Sequence, residues 1–442
     1  MTLLTPLKFI AAAIAACFLA LPAWAEIEIE EVTSPGGVTA WLVEDHSIPF
    51  TAMEIRFRGG TSLDAPGKQG AVYLMAALLE EGAGSLRAQD YARAVESLAA
   101  GFVFDADKDM VSVSARFLSE NRDEAVQLLR QTLFEPRFDQ DALDRVRAQI
   151  LAGLRSDAKD PNHIAGQAFN RLAYGDHPYA RDGKGTIESV SKLDRQDIFA
   201  AHDAVFARDR LYVSAVGDIT AEELGALLDD LLTGLPEEGA PIPEPAEVSI
   251  PGGVTVVDFD TPQSVAVFGQ QGIERDHPDF FTAYVMNQIL GGGSFESRLM
   301  SEVREKRGLT YGVYTYLLPR DLAAVYMGSV ASDNTKMAEA VEVIRNEWRR
   351  MAGEGVTEKE LQDAKTYLTG AYPLRFDGNG RIASILAGMQ MDDLPIDYVK
   401  TRNSKVEAVT LEDVNSFAAR FLQPEGLHFV VTGRPEGLAA AN

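Results

Sequence analysis

Apolar and polar side chains alternate in both halves of this 442-residue chain, and the alternation predicts strands. Met53, Ile55 and Phe57 alternate with polar neighbours, which is typical of a strand with one buried face. The same period-two pattern recurs at 111–117 and, in the second half, at 324–330. Such strands predict sheets with one face covered by helices and one face exposed to water.

Helices are predicted between the strands from apolar stripes with helical spacing. Two stripes share the spacing i, i+3, i+7 and lie 215 residues apart: Val126, Leu129 and Leu133, then Val341, Ile344 and Trp348. Capping boxes, in which a Thr and a Glu three residues later satisfy each other's backbone N–H groups, predict helix starts at 220–223 and 357–360.

These paired patterns belong to an internal duplication. Residues 73–79 resemble 284–290, and residues 211–217 resemble 427–433, in the same order along the chain. A proline-rich segment at 235–251 predicts a stiff, extended linker between the copies. The fold class is therefore predicted as α+β, with two homologous domains, each a mainly antiparallel sheet with helices on one face.

The first 25 residues have a different composition from the rest. A single Lys8, an apolar run and the small residues around Ala25 predict a secretory signal peptide cleaved near Ala25. The domains then span 26–234 and 252–442. The apolar run is too short to span a bilayer comfortably, so no transmembrane span is expected in the mature chain. Cys17 leaves a lipoprotein as a minor alternative, but the better cleavage site favours a periplasmic protein.

Composition narrows the possible functions. Apolar residues make up 46% of the chain, which is typical of a globular protein. The formal net charge is −25, and a negative surface repels phosphate backbones, which argues against nucleic-acid partners. Cys17 is the only cysteine, so the mature chain cannot form disulfides or thiolate metal sites. The acidity either keeps the protein soluble or attracts basic peptides.

Hydrolytic machinery is missing from the sequence. Neither His-Glu-x-x-His nor His-x-x-Glu-His occurs among the six histidines, and the Gly-x-Ser-x-Gly and nucleotide-binding loops are also absent. His163 and His177 are each next to or near a proline, and we expect them in loops. A hydrolase that uses an unusual metal arrangement of these two histidines is the weakest of the hypotheses.

Two stretches nevertheless resemble a known peptidase family. Residues 290–295, 297–299 and 302–311 closely resemble the second-domain signature of the M16 (pitrilysin/insulinase) peptidases, and 59–84 resembles their first-domain signature. The resemblance covers essentially the whole mature chain. It implies the two-domain fold of the smaller members of that family.

The resemblance also implies where zinc would bind in an active member. The His-x-x-Glu-His positions of the family correspond here to Tyr73, Ala76 and Ala77, and the distant glutamate ligand corresponds to Gly153. These side chains lack both imidazoles, the general base and the last carboxylate. The expectation is therefore that this chain binds no metal or other cofactor and has no self-contained activity.

The second domain keeps the residues that family members direct at the substrate. Arg304 and Tyr311 have the family's seven-residue spacing, and the resemblance gives them a role in binding peptide and stabilising the oxyanion. Gly291, Gly292 and Gly293 resemble a substrate-holding loop of metal-free subunits. A helix C-cap followed by a turn is an equally good interpretation of the three glycines.

The functional hypothesis is thus a zinc-free subunit of a heterodimeric periplasmic endopeptidase. Its partner would be an M16 subunit that carries His-x-x-Glu-His and the zinc, and the substrate would be a peptide or an unfolded protein segment. An extended substrate could add as a strand to an exposed sheet edge. The alternative is a non-enzymatic scaffold or a peptide-binding chaperone of the same fold.

Overall fold

The computed structural model describes residues 27–293 and 295–438. The predicted signal peptide, its cleavage site at Ala25 and the alternative lipidation site at Cys17 lie outside these residues. The described chain forms two large sheets with helices packed on them, together with a two-stranded ribbon. This is the α+β architecture that the periodicity predicts.

From residue 27 onward, where the structure describes it, the first half contains eight strands and eight α-helices. The strands are β1 (Glu30–Thr33), β2 (Thr39–Glu44), β3 (Phe50–Arg58), β4 (Gly82–Ala83), β5 (Leu86–Arg87), β6 (Gly101–Ala106), β7 (Met110–Leu118) and β8 (Leu211–Gly217). The helices are α1 (Ala71–Leu78), α2 (Ala88–Ser97), α3 (Arg122–Phe134), α4 (Gln140–Asp157), α5 (Pro161–Tyr174), α6 (Ile187–Lys192), α7 (Arg195–Val205) and α8 (Ala221–Leu232).

The second half contains five strands and six α-helices within the described residues. The strands are β9 (Gly253–Asp258), β10 (Gln263–Gln271), β11 (Val313–Arg320), β12 (Ala323–Asp333) and β13 (His428–Gly433). The helices are α9 (Phe280–Leu290), α10 (Met337–Glu354), α11 (Glu358–Ala371), α12 (Asn379–Met391), α13 (Tyr398–Ala408) and α14 (Leu411–Phe421). A π-helical turn, Met300–Glu305, follows α9.

The two sheets have the same topology. The first has the order β1-β2-β8-β3-β7-β6, and the second, read in the same direction, has the order β9-β13-β10-β12-β11. Each contains one parallel pair, β2 with β8 and β9 with β13, and is otherwise antiparallel. The repeated sequence segments occupy equivalent elements: α1 matches α9, α3 matches α10, and β8 matches β13.

Local predictions from the pattern are confirmed in both halves. Met53, Ile55 and Phe57 are buried in β3, while both apolar stripes face the cores of their domains from α3 and α10. Capping boxes begin α8 at Thr220 and α11 at Thr357, as the spacing of Thr and Glu predicts. Residues 235–251 contain neither helix nor strand.

The second face of each sheet differs from the expectation of a water-exposed surface. Helix α12 of the second half lies across β3 and β8 of the first sheet, and α5 of the first half lies across β10 and β13 of the second. Polar side chains on the covered face bond to the foreign helix: Ser214 Oγ donates to the Ala383 carbonyl at 2.7 Å, and Arg56 Nη2 donates to Ser384 Oγ at 2.8 Å. The two halves thus exchange one helix each.

Charged hairpin tips join the halves as well. Arg320, at the end of β11, pairs with Asp109 from the β6–β7 turn at 2.9 Å, and the Tyr179 hydroxyl bonds the same carboxylate. Arg58 pairs with Asp321 at 3.2 Å, and burial raises the pKa of Asp321 to about 6.

Among the described residues, no helix is both long and apolar enough to cross a bilayer.

Candidate functional site

Helix α1 carries the positions that would bind zinc in an active member. It begins after Gly70, whose left-handed φ of 90° suits glycine. A side chain at Gly70 would also meet the Lys184 carbonyl oxygen at 2.5 Å, so this close approach requires glycine. The buried Asp64 carboxylate accepts from the N–H groups of Gly70 at 2.6 Å and Val72 at 2.9 Å. Burial raises the pKa of Asp64 to about 7 although both N–H groups favour the charged form.

The degenerate positions on α1 are packed rather than open. Ala76 is 2% exposed, while Tyr73 and Ala77 are partly buried and pack against the core of the first domain. The face bearing Tyr73 and Ala77 offers one phenol and one methyl group, so it provides a single weak oxygen ligand. Zinc sites need three protein ligands, usually imidazole or carboxylate. These residues therefore do not fit a zinc ion.

The fourth position, Gly153, lies on α4, which packs against α1. A Cβ added at Gly153 would meet no atom within 4 Å, so the helix faces open space there. One turn further along the same helix face, Asp157 pairs with Lys184 Nζ at 2.8 Å. We call Tyr73, Ala77 and Gly153 the degenerate metal site; the Lys184–Asp157 ion pair lies at its margin.

The two histidines considered as alternative ligands are engaged elsewhere. His163 lies in the first turn of α5, not in a loop as predicted, because Pro161 occupies the favourable first position of that helix. Its Nε2 pairs with Asp182 at 3.0 Å. His177 Nδ1 accepts from the Tyr179 N–H at 3.1 Å, while its Nε2 lies 3.0 Å from the Glu244 carbonyl oxygen. Across residues 27–293 and 295–438, no three His, Cys, Asp or Glu side chains cluster as a metal site would require.

The second domain holds Arg304 in the π-helical turn between α9 and β11. Arg298, just before the turn, is buried and forms a bidentate pair with Glu360, with distances of 2.6 and 2.9 Å. Glu360 is also the capping-box residue of α11, so this one carboxylate joins the turn to a helix start. The turn is thereby anchored on its inner side.

The buried Glu302 also anchors the turn. Its carboxylate pairs with Lys306 and Arg307, each at 2.6 Å, and with Arg350 at 3.6 Å. Lys306 and Arg307 lower the pKa of Glu302 to about 2. Since Glu302 and Lys306 flank Arg304, the ion pairs fix the backbone on both sides of that residue.

Tyr311 is presented outward, whereas Arg304 is partly buried. The Arg304 guanidinium lies 4.9 Å from the centre of the exposed Phe295 ring, a cation–π distance. Tyr311 is 89% exposed. Its neighbour Thr310 bonds the Ala331 carbonyl at 2.7 Å, and the Lys336 ammonium bonds the Gly308 carbonyl at 3.2 Å. We call residues 304–311 the Arg304–Tyr311 segment; its backbone is held while the Tyr311 side chain faces solvent.

The three glycines divide into two kinds. Gly291 ends α9, and its carbonyl accepts from the Thr315 N–H of β11 at 2.7 Å. A Cβ at Gly291 would meet Thr315 Oγ1 at 2.5 Å, and one at Gly292 would meet Gln288 Cα at 2.6 Å, so packing alone accounts for both. Gly293 has a φ of 86° and no neighbour within 4 Å of an added Cβ, which leaves it as the glycine accessible to a ligand.

Aromatic side chains beside this segment were not singled out from the sequence. Phe295 is 66% exposed, and Tyr314 and Tyr316 project from the outer face of β11 with 50% and 38% exposure. The alternation of Val313 and Thr315, which are buried, with Tyr314 and Tyr316 is the signal that could have identified them. Together with Tyr311 they extend the accessible surface along β11.

Fold and site together define a class: a two-domain relative of zinc peptidases whose first domain has lost its metal ligands. Residues 40–186 match the family described as Insulinase (Peptidase family M16), and residues 192–368 match the Peptidase M16 inactive domain. The chain belongs to the M16 peptidase family and is a non-catalytic member of it.

Individual relatives agree with the assignment to the family. The chain is 30% identical over 393 residues to the non-peptidase homolog YmxG of Helicobacter pylori, covering 88% of this chain and 90% of that one. It is 26% identical over 400 residues to an uncharacterized zinc protease of Mycobacterium leprae, covering 88% of each chain. A solved peptidase M16 inactive domain from Pseudomonas fluorescens superposes with a TM-score of 0.86 and 30% identity, over 94% of this chain and 99% of that one.

Proposed function

We propose that this protein is the zinc-free subunit of a heterodimeric M16 endopeptidase and that it supplies Arg304 and Tyr311 to the active site of a zinc-bearing partner. The observation that carries the proposal is that the exposed Tyr311 and the partly buried Arg304, which lies over the exposed Phe295 ring, stand on a backbone fixed by ion pairs and hydrogen bonds. A guanidinium and a phenol with this support are placed for a ligand outside the chain.

The chemistry of the pair suits a peptide undergoing hydrolysis. A guanidinium offers a rigid fork of donors for a carbonyl or carboxylate oxygen. A tyrosine hydroxyl can donate to the negative charge that develops on the carbonyl oxygen of a cleaved amide. Zinc, the metal-bound water and the general base would all come from the His-x-x-Glu-His subunit, because the degenerate metal site holds none of them.

The substrate in this proposal is a peptide or an unfolded protein segment. The free edge of β11 is a poor template for strand addition at its centre, since Thr315 already donates to Gly291 and Pro319 has no N–H group. An extended peptide would therefore be bound by side chains on this wall, including Phe295 and Tyr314, while its backbone pairs with the partner. Export by the predicted signal peptide would place the complex in the periplasm.

Reconstitution tests the proposal. The purified chain is mixed with an exported His-x-x-Glu-His subunit from the same organism, and peptide cleavage is followed with a quenched fluorescent substrate. We expect activity only in the mixture and a loss of about 100-fold in kcat with Arg304→Ala or Tyr311→Phe, as for removal of one oxyanion donor. The matched controls Arg93→Ala and Tyr367→Phe, at exposed positions away from the segment, should retain full activity.

A separate outcome distinguishes the alternative of a scaffold or peptide-binding chaperone. If the chain binds unfolded peptides with equal affinity with and without a zinc-bearing subunit, and no mixture cleaves them, binding alone is its function. Complex formation with full activity in both the Arg304 and the Tyr311 variants would leave a subunit but remove the assigned roles.

A further inference from the structure

The degenerate metal site has a cation of its own beside it. Tyr73 and Ala77 lie one turn apart on one face of α1, and Gly153 and Asp157 lie one turn apart on one face of α4, which packs against α1. The Lys184 ammonium pairs with Asp157 at 2.8 Å. The backbone carbonyl oxygen of Lys184 lies against Gly70, the residue before α1, where an added Cβ would meet it at 2.5 Å.

The loop that carries Lys184 is held tightly against the start of α1. The Lys184 N–H donates to Asp182 Oδ1 at 2.9 Å, and Ser189 Oγ donates to the Gln69 carbonyl at 2.8 Å. A Cβ at Gly185 would meet the Gln69 carbonyl oxygen at 2.3 Å, so the two backbones are in contact. The backbone of Lys184 is therefore fixed against the start of α1, and the ion pair with Asp157 holds its partly exposed side chain beside α4.

We infer that the Lys184 ammonium, held by Asp157 at the margin of the degenerate metal site, opposes the binding of a metal cation there, so that restoring the three metal ligands will not by itself restore metal binding. Through Asp157 the ammonium also cross-links α4 to the 182–186 loop, whose backbone lies against the start of α1. The inference concerns this chain alone and does not rest on the proposed function.

The electrostatic reason is repulsion between like charges. A divalent cation a few ångströms from a fixed ammonium is destabilised, since the interaction falls only as the inverse of distance in a partly buried site. At the same time the ammonium neutralises Asp157, the carboxylate that would otherwise favour a metal there. Removing the lysine charge reverses both effects.

The test compares two redesigned full-length chains. The first carries Tyr73→His, Ala77→His and Gly153→Glu, and the second adds Lys184→Met, which keeps the length of the side chain without its charge. Zinc affinity is measured by competition with a chromophoric chelator, and the absorption spectrum of the Co²⁺ form reports on tetrahedral ligation. We expect the second chain to bind zinc at least about 100-fold more tightly than the first.

The control adds Lys192→Met to the three ligand substitutions instead of Lys184→Met. Lys192 is an exposed lysine with an acidic partner on α6, so the same change in net charge is made away from the site. The control should bind zinc as weakly as the first chain. Equal affinity in the chains with and without Lys184 would overturn the inference.

A measurement on the natural site keeps the inference testable if the ligand substitutions unfold the first domain. Lys184→Met and Asp157→Asn are made singly and together, and the thermal midpoints are compared as a double-mutant cycle. We expect each single variant to lose about 2 °C and the double variant to lose less than the sum. Strictly additive losses would show that the ammonium does not cross-link the site and would contradict the inference.

Discussion

The degenerate metal site and the Arg304–Tyr311 segment occupy different domains of one duplicated fold, and they have changed in opposite ways. The first is largely packed: the adjacent Ala76 is buried, Tyr73 packs on the core, and the nearby Lys184 and Asp157 neutralise each other. The second is held by ion pairs and presents Tyr311 to solvent beside the partly buried Arg304. A subunit that works with a partner can lose the first region, whereas its contribution depends on the second.

The largest loss of stability is expected from introducing on α1 the glutamate that active family members carry there. Ala76→Glu would place a carboxylate at a position that is 2% exposed, and the nearby Lys184 is already paired with Asp157. Burying an unpaired charge is costly, and we expect a loss of about 3 kcal/mol or more in the free energy of unfolding. Urea titration measures it.

Ala152→Glu on α4 is the matched control, because Ala152 is exposed. Its free energy of unfolding should change by no more than about 0.5 kcal/mol. If Ala76→Glu is tolerated as well as the control, the first region is still open enough for a catalytic side chain, and the contrast between the two regions fails.

The start of α1 should also make the stability of the first domain depend on pH. Asp64 has a pKa of about 7 in the folded protein, above the value of about 3.9 in an unfolded chain. The folded state therefore binds more protons between these values, and stability falls as pH rises from about 4 to about 7. The slope can reach about 1.4 kcal/mol per pH unit.

Asp64→Asn removes this titration and should flatten the stability profile, most clearly between pH 6 and 7, where Asp321 with its pKa of about 6 contributes less. Denaturant unfolding at several pH values provides the profile. A slope that is unchanged in the variant would mean that another buried acid controls it.

These predictions rest on features that sequence reasoning reached to different degrees. The strands at Met53 and Tyr326 and the helix starts at Thr220 and Thr357 follow from local periodicity and capping, so the pattern predicts them. The exchange of α5 and α12 was missed because an amphipathic stripe indicates that a face is buried and leaves its partner unspecified. The polar Ser214 on β8 accordingly lies buried under α12, where it bonds the Ala383 carbonyl.

The candidate site likewise could be predicted from the sequence only in part. The absence of metal ligands is visible at Tyr73, Ala77 and Gly153, since these residue types cannot supply imidazole or carboxylate groups. The Lys184–Asp157 pair could not be predicted, because it joins residues 27 positions apart through a loop that packs against α1. Likewise the exposure of Phe295 depends on how the chain turns after α9.

A smaller loss of stability is expected from removing the Glu302 charge that supports the Arg304–Tyr311 segment. Glu302→Gln would remove the negative charge shared by Lys306, Arg307 and Arg350, and these cations are themselves partly exposed. We expect about 1 kcal/mol of local destabilisation, seen as faster amide hydrogen exchange over residues 303–312. Glu305→Gln, an exposed acid in the same turn, is the control and should leave exchange unchanged. Equal protection in the two variants would show that the ion pairs do not hold the segment.

The smallest effect on stability is expected at the residue with the largest proposed role. Tyr311 is 89% exposed, so Tyr311→Phe removes a hydroxyl that faces water in the isolated chain and should change the free energy of unfolding by less than about 0.5 kcal/mol. Tyr179→Phe is the informative comparison, because the buried Tyr179 hydroxyl bonds Asp109 and accepts from the Leu322 N–H at 3.1 Å. Its loss should cost about 1–3 kcal/mol, since a buried acidic group and an N–H lose their partner.

Urea unfolding of the two tyrosine variants is run beside the reconstituted peptide assay. The comparison distinguishes a tyrosine hydroxyl that acts on a ligand from one that stabilises the fold. If Tyr311→Phe abolishes cleavage with unchanged stability, the hydroxyl acts on something outside this chain. A clear loss of stability in Tyr311→Phe would instead place the phenol among the residues that hold the second domain together. Its exposure would then no longer distinguish it from Tyr73, whose ring packs on the core of the first domain.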